Sequence, residues 1–280
     1  MKDFSDFVIV SDMDGTLLDS SKKISSGNLK AIEKFRSMGG HFTVATGRTI
    51  QTLAPYADIL ELDMPVILYN GSMIYDYRKN KILYEKHLPM TAKKIALEIM
   101  RNVENLGGEV LKSDSAYVFE NNEYEKMHTK ICGADVKFSD LESMSPENWL
   151  KVLFASAPEN IQKLVDFIAE KGYNEVSFVK SSDIFCEMLE PSSTKGSALG
   201  IYRNLDGMKN MKFISIGDYN NDIEMIQEAD FGAVPSNAQP EVKDSADIIL
   251  ESSCDENAVA ELIDLIIQKN IYGGSYGRKN

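Results

Sequence analysis

The sequence predicts an α/β fold, a doubly wound parallel-sheet core with an α+β segment inserted into it. Three observations carry this expectation. Short runs that are apolar throughout, such as Phe7-Val8-Ile9-Val10 and Phe213-Ile214-Ser215-Ile216, alternate with helical patterns near both ends of the chain. Strands of that kind are buried on both faces, as in parallel sheets covered by helices. Between them the texture changes to alternating strands and amphipathic helices, and 280 residues leave room for a core plus an insertion.

The first strand, Phe7–Val10, is β-branched and ends at Ser11 and Asp12. Leu29, Ile32, Phe35 and Met38 follow at helical spacing, and Gly39-Gly40 stops that helix. A second run, Phe42–Ala45, leads to Thr46-Gly47-Arg48 and another helix. A third, Pro65–Tyr69, ends in Asn70-Gly71. From about Met73, short alternating strands flank turns at Arg78–Lys81 and Lys112–Ser115. Amphipathic helices are marked by Ile95, Ile99 and Val103, and by Ile161, Leu164, Val165 and Ile168; strand-like runs at Leu150–Ala155 and Glu175–Val179 complete an expected antiparallel sheet. After Pro191 the first rhythm returns: a helix from Lys195, strands at Phe213–Ile216, Phe231–Val234 and Ala246–Leu250, and a closing helix bearing Val259, Leu262, Ile263 and Ile266. The predicted core is therefore 1–85 with 189–280, and the insertion is 86–188. The glycine-rich stretch Tyr272–Gly277 reads as flexible chain.

Composition narrows the function. A net charge of −13 repels nucleic-acid backbones and anionic membrane surfaces, so neither is expected as a partner. An anionic substrate would need a metal or locally concentrated cations. Cys132, Cys186 and Cys254 are scattered, which argues for a reducing compartment and against a disulfide framework or a structural zinc site. His41, His87 and His128 show no ligand spacing and read as surface or strand-end residues. With no signal-peptide pattern and no run of the roughly 20 apolar residues a spanning helix needs, a cytoplasmic protein is expected, as a monomer or small homo-oligomer.

In an open parallel sheet, ligands bind beyond the carboxyl ends of the strands. The residues there are Asp12 and Asp14, then Thr46, then Asp218 with Asn221 and Asp222, while Lys195 opens a helix. Together they suit attack on a phosphate monoester. Asp12 is the candidate nucleophile, and a Mg2+ ion held by Asp12 and Asp218 would remove the repulsion between two anions. Lys195 adds a fixed charge. The Thr46 hydroxyl and the backbone N–H groups after it, from Gly47 on, can bind phosphate oxygens. Asp14 is placed to protonate the leaving alkoxide and then to deprotonate water.

These segments resemble the haloacid dehalogenase-like hydrolases. Asp12-Met13-Asp14-Gly15-Thr16-Leu17-Leu18 is similar to the first signature of that superfamily. Thr46-Gly47-Arg48, Lys195-Gly196 and Gly217-Asp218-Tyr219-Asn220-Asn221-Asp222 are similar to the next three, in order. Asn70-Gly71 and the long insertion resemble the Cof-type branch, which has a large α/β cap on a Rossmann-like core. The resemblance implies Asp12 as the phosphorylated nucleophile, Asp14 as acid/base, and Thr46 and Lys195 as phosphate ligands. It implies Mg2+ at Asp12, the Asp14 carbonyl and Asp218, with Asp222 as a further ligand or its support, and Asn221 orienting Asp218 or the phosphate. Arg48 and Asn70 are candidates for the neighbourhood of the substrate, Arg48 being equally readable as a surface ion-pair residue and Asn70 as a turn. One departure is Gly232–Ala238, where Pro235 stiffens a loop that is small and flexible in this branch.

Other phosphate sites are excluded. No G-x-G-x-x-G follows the first strand and no G-x-x-x-x-G-K-[ST] occurs. Asp218-x-Asn220-x-Asp222 opens like a calcium loop but has Ile223 where glycine is required and Ala229 where glutamate is. The expected function is Mg2+-dependent hydrolysis of phosphate monoesters of small metabolites, sugar phosphates first, through an aspartyl-phosphate. A phosphomutase with the same chemistry and a non-catalytic phosphometabolite-binding protein are the alternatives.

Overall fold

The computed structural model describes residues 3–132 and 136–269, and the side chain of Cys132 and the glycine-rich stretch 272–277 lie outside the described residues. In chain order the first elements are β1 (Phe7–Ser11), α1 (Ser26–Ser37), β2 (His41–Val44), α2 (Ile50–Ile59), β3 (Val66–Leu68), β4 (Met73–Asp76) and β5 (Lys81–Glu85). The middle of the chain forms α3 (Ala92–Asn102), β6 (Gly107–Leu111), β7 (Ala116–Glu120), α4 (Glu123–Cys132), β8 (Val136–Phe138) and β9 (Lys151–Ala155), then α5 (Pro158–Lys171), β10 (Ser177–Ser182) and β11 (Phe185–Leu189). The remainder is α6 (Lys195–Tyr202), β12 (Lys212–Ile216), α7 (Ile223–Glu228), β13 (Phe231–Val234), α8 (Pro240–Lys243), β14 (Ile248–Ile249) and α9 (Ala258–Lys269). No helix among the described residues is long and apolar enough to cross a membrane.

The chain divides into two compact units. The first holds the described residues of 1–47, 56–84 and 194–280, the second those of 48–55 and 85–193. The sequence places 48–55 with the core. In the structure this segment groups with the second unit, where the Gln51 amide donates to the carbonyl of Ser113 at 3.2 Å.

In the first unit the sheet order is β14-β13-β12-β1-β2, parallel at every pairing. All five residues of β1 are buried, as an interior strand of a covered sheet requires. The chain leaves β1 toward β2 on one side and returns through β12 on the other, which opens a crevice beyond the carboxyl end of β1. A parallel bridge from Ala45 to Ile67 carries the sheet on to β3, and β3, β4 and β5 form a small sheet of their own. Helix α1 is capped at its start by Ser25, whose hydroxyl accepts the amide of Asn28 at 3.1 Å. Val8, Val10, Ile67, Ile74, Leu199 and Phe213 are among the residues of its main core.

The second unit is a six-stranded sheet in the order β10-β11-β9-β6-β7-β8. The expectation of a purely antiparallel sheet is corrected here, because β8 pairs with β7 in parallel; helix α4 between them acts as the crossover that parallel pairing demands. One face packs Val110, Val152, Phe154, Cys186 and Met188 against Ile95 and Ile99 of α3 and Ile161 and Leu164 of α5, with Trp149 fully buried among them. The other face carries Glu109, Leu153 and Glu187 in register across β6, β9 and β11.

Candidate active site

Three adjacent strand ends deliver the first-unit residues. Asp12 leaves β1 with its amide donating to the carbonyl of Ile216 (2.8 Å), so the ends of β1 and β12 are locked together. Thr46 follows β2, its amide donating to Ile67 (2.9 Å) and its carbonyl accepting the amide of Asn70 (3.1 Å). Asp218 follows β12. Tyr69, Asn70 and Gly71 all have positive φ, 51°, 55° and 106°, a costly succession for Tyr69. Only glycine is possible at 71, where a Cβ would lie 2.1 Å from the Thr194 carbonyl. This turn brings the Asn70 Oδ1 to within 3.1 Å of the Asn221 amide nitrogen, which donates to it.

At the centre is the fully buried ammonium of Lys195, at the start of α6. It donates to Asp12 Oδ1 at 2.5 Å and to Asp222 Oδ1 at 2.6 Å. The helix start is fixed by a capping box between Thr194 and Ser197. Asp222, 0% exposed, also accepts the amides of Asp218 and Tyr219 at 3.0 Å each through Oδ2. Both oxygens of Asp222 are thus engaged in holding Lys195 and the turn after β12. Asp218 accepts the Thr16 hydroxyl at 2.7 Å. Gly15, φ 89°, lets the loop pass so close to Asp218 that a Cβ would fall 2.5 Å from Oδ2.

Asp12, Asp218 and Asp222 each offer an oxygen within 4.8 Å of the others. Three carboxylates around one ammonium leave two negative charges in a buried pocket. The titration behaviour follows. Burial, with Asp222 and Asp218 nearby, holds the Asp12 carboxyl well above the ordinary aspartate value despite Lys195. Burial and Asp222 push Asp218 up to about 6, against the Thr16 hydrogen bond. Burial opposes the charge on Lys195, but Asp12 and Asp222 outweigh it and raise the ammonium's pKa. Two surplus charges on an all-oxygen donor set fit one hard divalent cation.

Asp14 and Gly47 belong to the first unit with this cluster, and Arg48 to the second. Asp14 is half-buried and pairs with Lys22 at 2.9 Å, a partner the sequence reading missed; Lys22 sits at φ 59° in a polar turn that carries no chemical motif. Asn237 lies in the loop that Pro235 stiffens, and its contacts are with two other loops. Its amide donates to the Gly15 carbonyl (2.9 Å) and its Oδ1 accepts the amide of Cys254 (2.8 Å), so the Pro235 loop is tied to the loop after β1. Gly47 lies against Asn70, with 2.9 Å between a notional Cβ and Asn70 Oδ1. Arg48 belongs to the segment grouped with the second unit, where its guanidinium donates to the Thr52 carbonyl at 3.4 Å.

The chain is similar to known proteins over most of its length. The family profile of haloacid dehalogenase-like hydrolases matches residues 9–263. The 5-amino-6-(5-phospho-D-ribitylamino)uracil phosphatase YcsE of Bacillus subtilis is 30% identical over 260 residues, covering 91% of this chain and 94% of the relative. The pyridoxal phosphate phosphatase YbhA of Escherichia coli is 26% identical over 258 residues, covering 87% and 92%. The crystal structure of a haloacid dehalogenase-like hydrolase from Bacteroides thetaiotaomicron superimposes with a TM-score of 0.82 at 25% identity, over 93% of this chain and 99% of that one. This chain is a haloacid dehalogenase-like hydrolase, of the Cof-type phosphatase branch.

Proposed function

We propose that the chain hydrolyses phosphate monoesters of small metabolites carried on a primary hydroxyl, with Asp12 as nucleophile and Mg2+ as cofactor. The observation that carries this reading is the buried Asp12–Lys195–Asp222 arrangement with Asp218 beside it, which needs a cation to balance its charge. Asp12 and Asp218 would hold the ion, while Asp222 keeps Lys195 and the β12 turn in place. When bound, Mg2+ supplies charge neutralisation for the phosphoryl group and the nucleophile.

An Asp12 oxygen forms a bond to phosphorus as the ester P–O bond breaks, and Asp14 gives its proton to the departing alkoxide. Asp14 then takes a proton from water, whose oxygen attacks the aspartyl-phosphate and releases inorganic phosphate and free Asp12. The Lys195 ammonium, the Thr46 hydroxyl and the Gly47 amide are assigned to the phosphate oxygens. Asn70 and Asn221 brace one another at 3.1 Å beside Thr46, and this pair is assigned to holding the phosphate loop rather than to chemistry.

The substrate class rests on the relatives. YcsE acts on a 5-phosphoribityl compound and YbhA on pyridoxal phosphate, both of which are phosphate esters of a –CH2OH group. Sugar phosphates present the same group. Selection among them is assigned to the inserted segment 86–188. A panel of such esters, assayed with Mg2+ and with chelator, tests the reading. Inorganic phosphate is expected only with metal, and D12N is expected to lower turnover by roughly 10³-fold or more while the protein stays folded. A D12N protein that still turns over, or a wild type active in chelator, overturns it.

A further inference from the structure

The second unit buries a group that the phosphatase reading does not use. Glu109 and Glu125 are 1% and 0% exposed, and together with His128 they bring two carboxylate oxygens and an imidazole nitrogen within 4.8 Å of one another. His128 Nδ1 lies 3.2 Å from Glu109 Oε1. Neither oxygen of Glu125 is met by an N–H or hydroxyl donor among the described residues, and its carboxyl lies within hydrogen-bonding reach of that of Glu109. Elsewhere on the same sheet, a buried carboxylate is matched by a cation: Lys151 pairs with Glu187 at 3.1 Å. Burying two carboxylates against one imidazole is unfavourable unless a charge is brought in.

The local structure converges on this point from two elements. Glu125 and His128 are three residues apart on α4, which puts them on one face. That face packs on β6 and β9. Asn122 anchors the helix: its Oδ1 accepts the Glu125 amide at 2.8 Å and its Nδ2 donates to the Ala155 carbonyl at 2.8 Å. Glu109 comes from β6 where the pairing with β7 shifts register, and such an irregularity re-aims a side chain.

We propose that Glu109, Glu125 and His128 form a second, structural metal site, for a divalent transition-metal ion of the zinc type, that pins α4 to the sheet. Two carboxylates and one neutral imidazole cancel the ion's charge. The nitrogen donor favours zinc or manganese over magnesium, in contrast to the all-oxygen cluster of the first unit. Burial and Glu109 push the Glu125 carboxyl up to about 8, so a proton shared between the two glutamates is the competitor for the same place.

The test uses tag-free full-length protein, stripped with chelator and then titrated with Zn2+ in a large excess of Mg2+. Equilibrium dialysis with elemental analysis gives the stoichiometry, and Trp149 fluorescence follows thermal unfolding of the second unit. One zinc per chain is expected to be retained by wild type and by D218N, with the Trp149 midpoint raised. E125Q and H128N are each expected to bind zinc on the order of 100-fold more weakly. H128N decides the outcome should E125Q fail to fold. A wild type that retains no Zn2+ overturns the proposal in favour of the shared proton. So does retention that survives H128N, or that D218N abolishes. The phosphatase reading is untouched by any of these results, because its own test reads phosphate release with Mg2+.

Discussion

A carboxyl group whose pKa rises to about 6 on folding, as that of Asp218 does, keeps a proton in the folded chain at pH values where the unfolded chain has lost it. Between about pH 4 and pH 6 the folded state therefore binds more protons, and stability falls as pH rises through that window. Above it the cost is constant. Burial and neighbouring carboxylates raise Asp12 in the same direction. A cation that binds only the carboxylate forms removes this cost, so its effect must grow over the same window. The Mg2+-induced rise in Tm is expected to be small near pH 4.5 and largest above about pH 7, with D218N losing most of it. Thermal melts with and without Mg2+ at the two pH values check this. An equal shift at both, or one unchanged in D218N, would place the ion elsewhere.

Among the elements, the loops that hold the site matter as much as the strands that deliver it. Asn237 joins the Gly15 carbonyl to the Cys254 amide, and the Gly15 loop carries Asp14 and Thr16 on either side. Because Asn237 is exposed, its removal is expected to leave global stability within about 0.5 kcal/mol. Misplacing Asp14, the proposed acid/base, is costlier, so N237A is expected to lower kcat by roughly 10-fold with KM little changed. N237D keeps the acceptor for Cys254 but loses the donor to Gly15, and is expected to match N237A. Wild-type kinetics in N237D would show that the Gly15 bond positions nothing. This link could not be read from sequence, since it joins residues more than two hundred positions apart. The strands were legible for the opposite reason. β1, β2, β12 and β13 fall within a residue of their expected positions, because continuous β-branched runs have few other places to go. β14 is shorter than expected, two residues where Ala246–Leu250 reads as strand. Helix α4 escaped notice altogether. Its inward positions include the buried Glu125 and the half-buried His128 rather than aliphatic residues, so the apolar period that marks α3 and α5 is weak there. His128, read as a surface or strand-end residue, in fact lies on a helix with its imidazole beside Glu109.

For the whole molecule, the relevant division is between two units that each bury a core of their own, one around Val8, Val10 and Phe213, the other around Trp149, Val152 and Phe154. The candidate catalytic carboxylates and Lys195 belong to the first, the Glu109 cluster to the second. Trp149 is the sole tryptophan of the chain and is fully buried, with its indole N–H donating to the Ser145 carbonyl at 2.7 Å. Its fluorescence therefore reports the second unit alone, whereas far-UV circular dichroism reports both. A ligand stabilises only the cooperative unit to which it binds when units unfold separately. Mg2+ with orthovanadate, a phosphoryl mimic for the Asp12 cluster, is expected to raise the circular-dichroism midpoint by several degrees and to leave the Trp149 midpoint in place. Vanadate moving both midpoints together would mean that the chain unfolds as one cooperative body, with the inserted unit drawing its stability from the first.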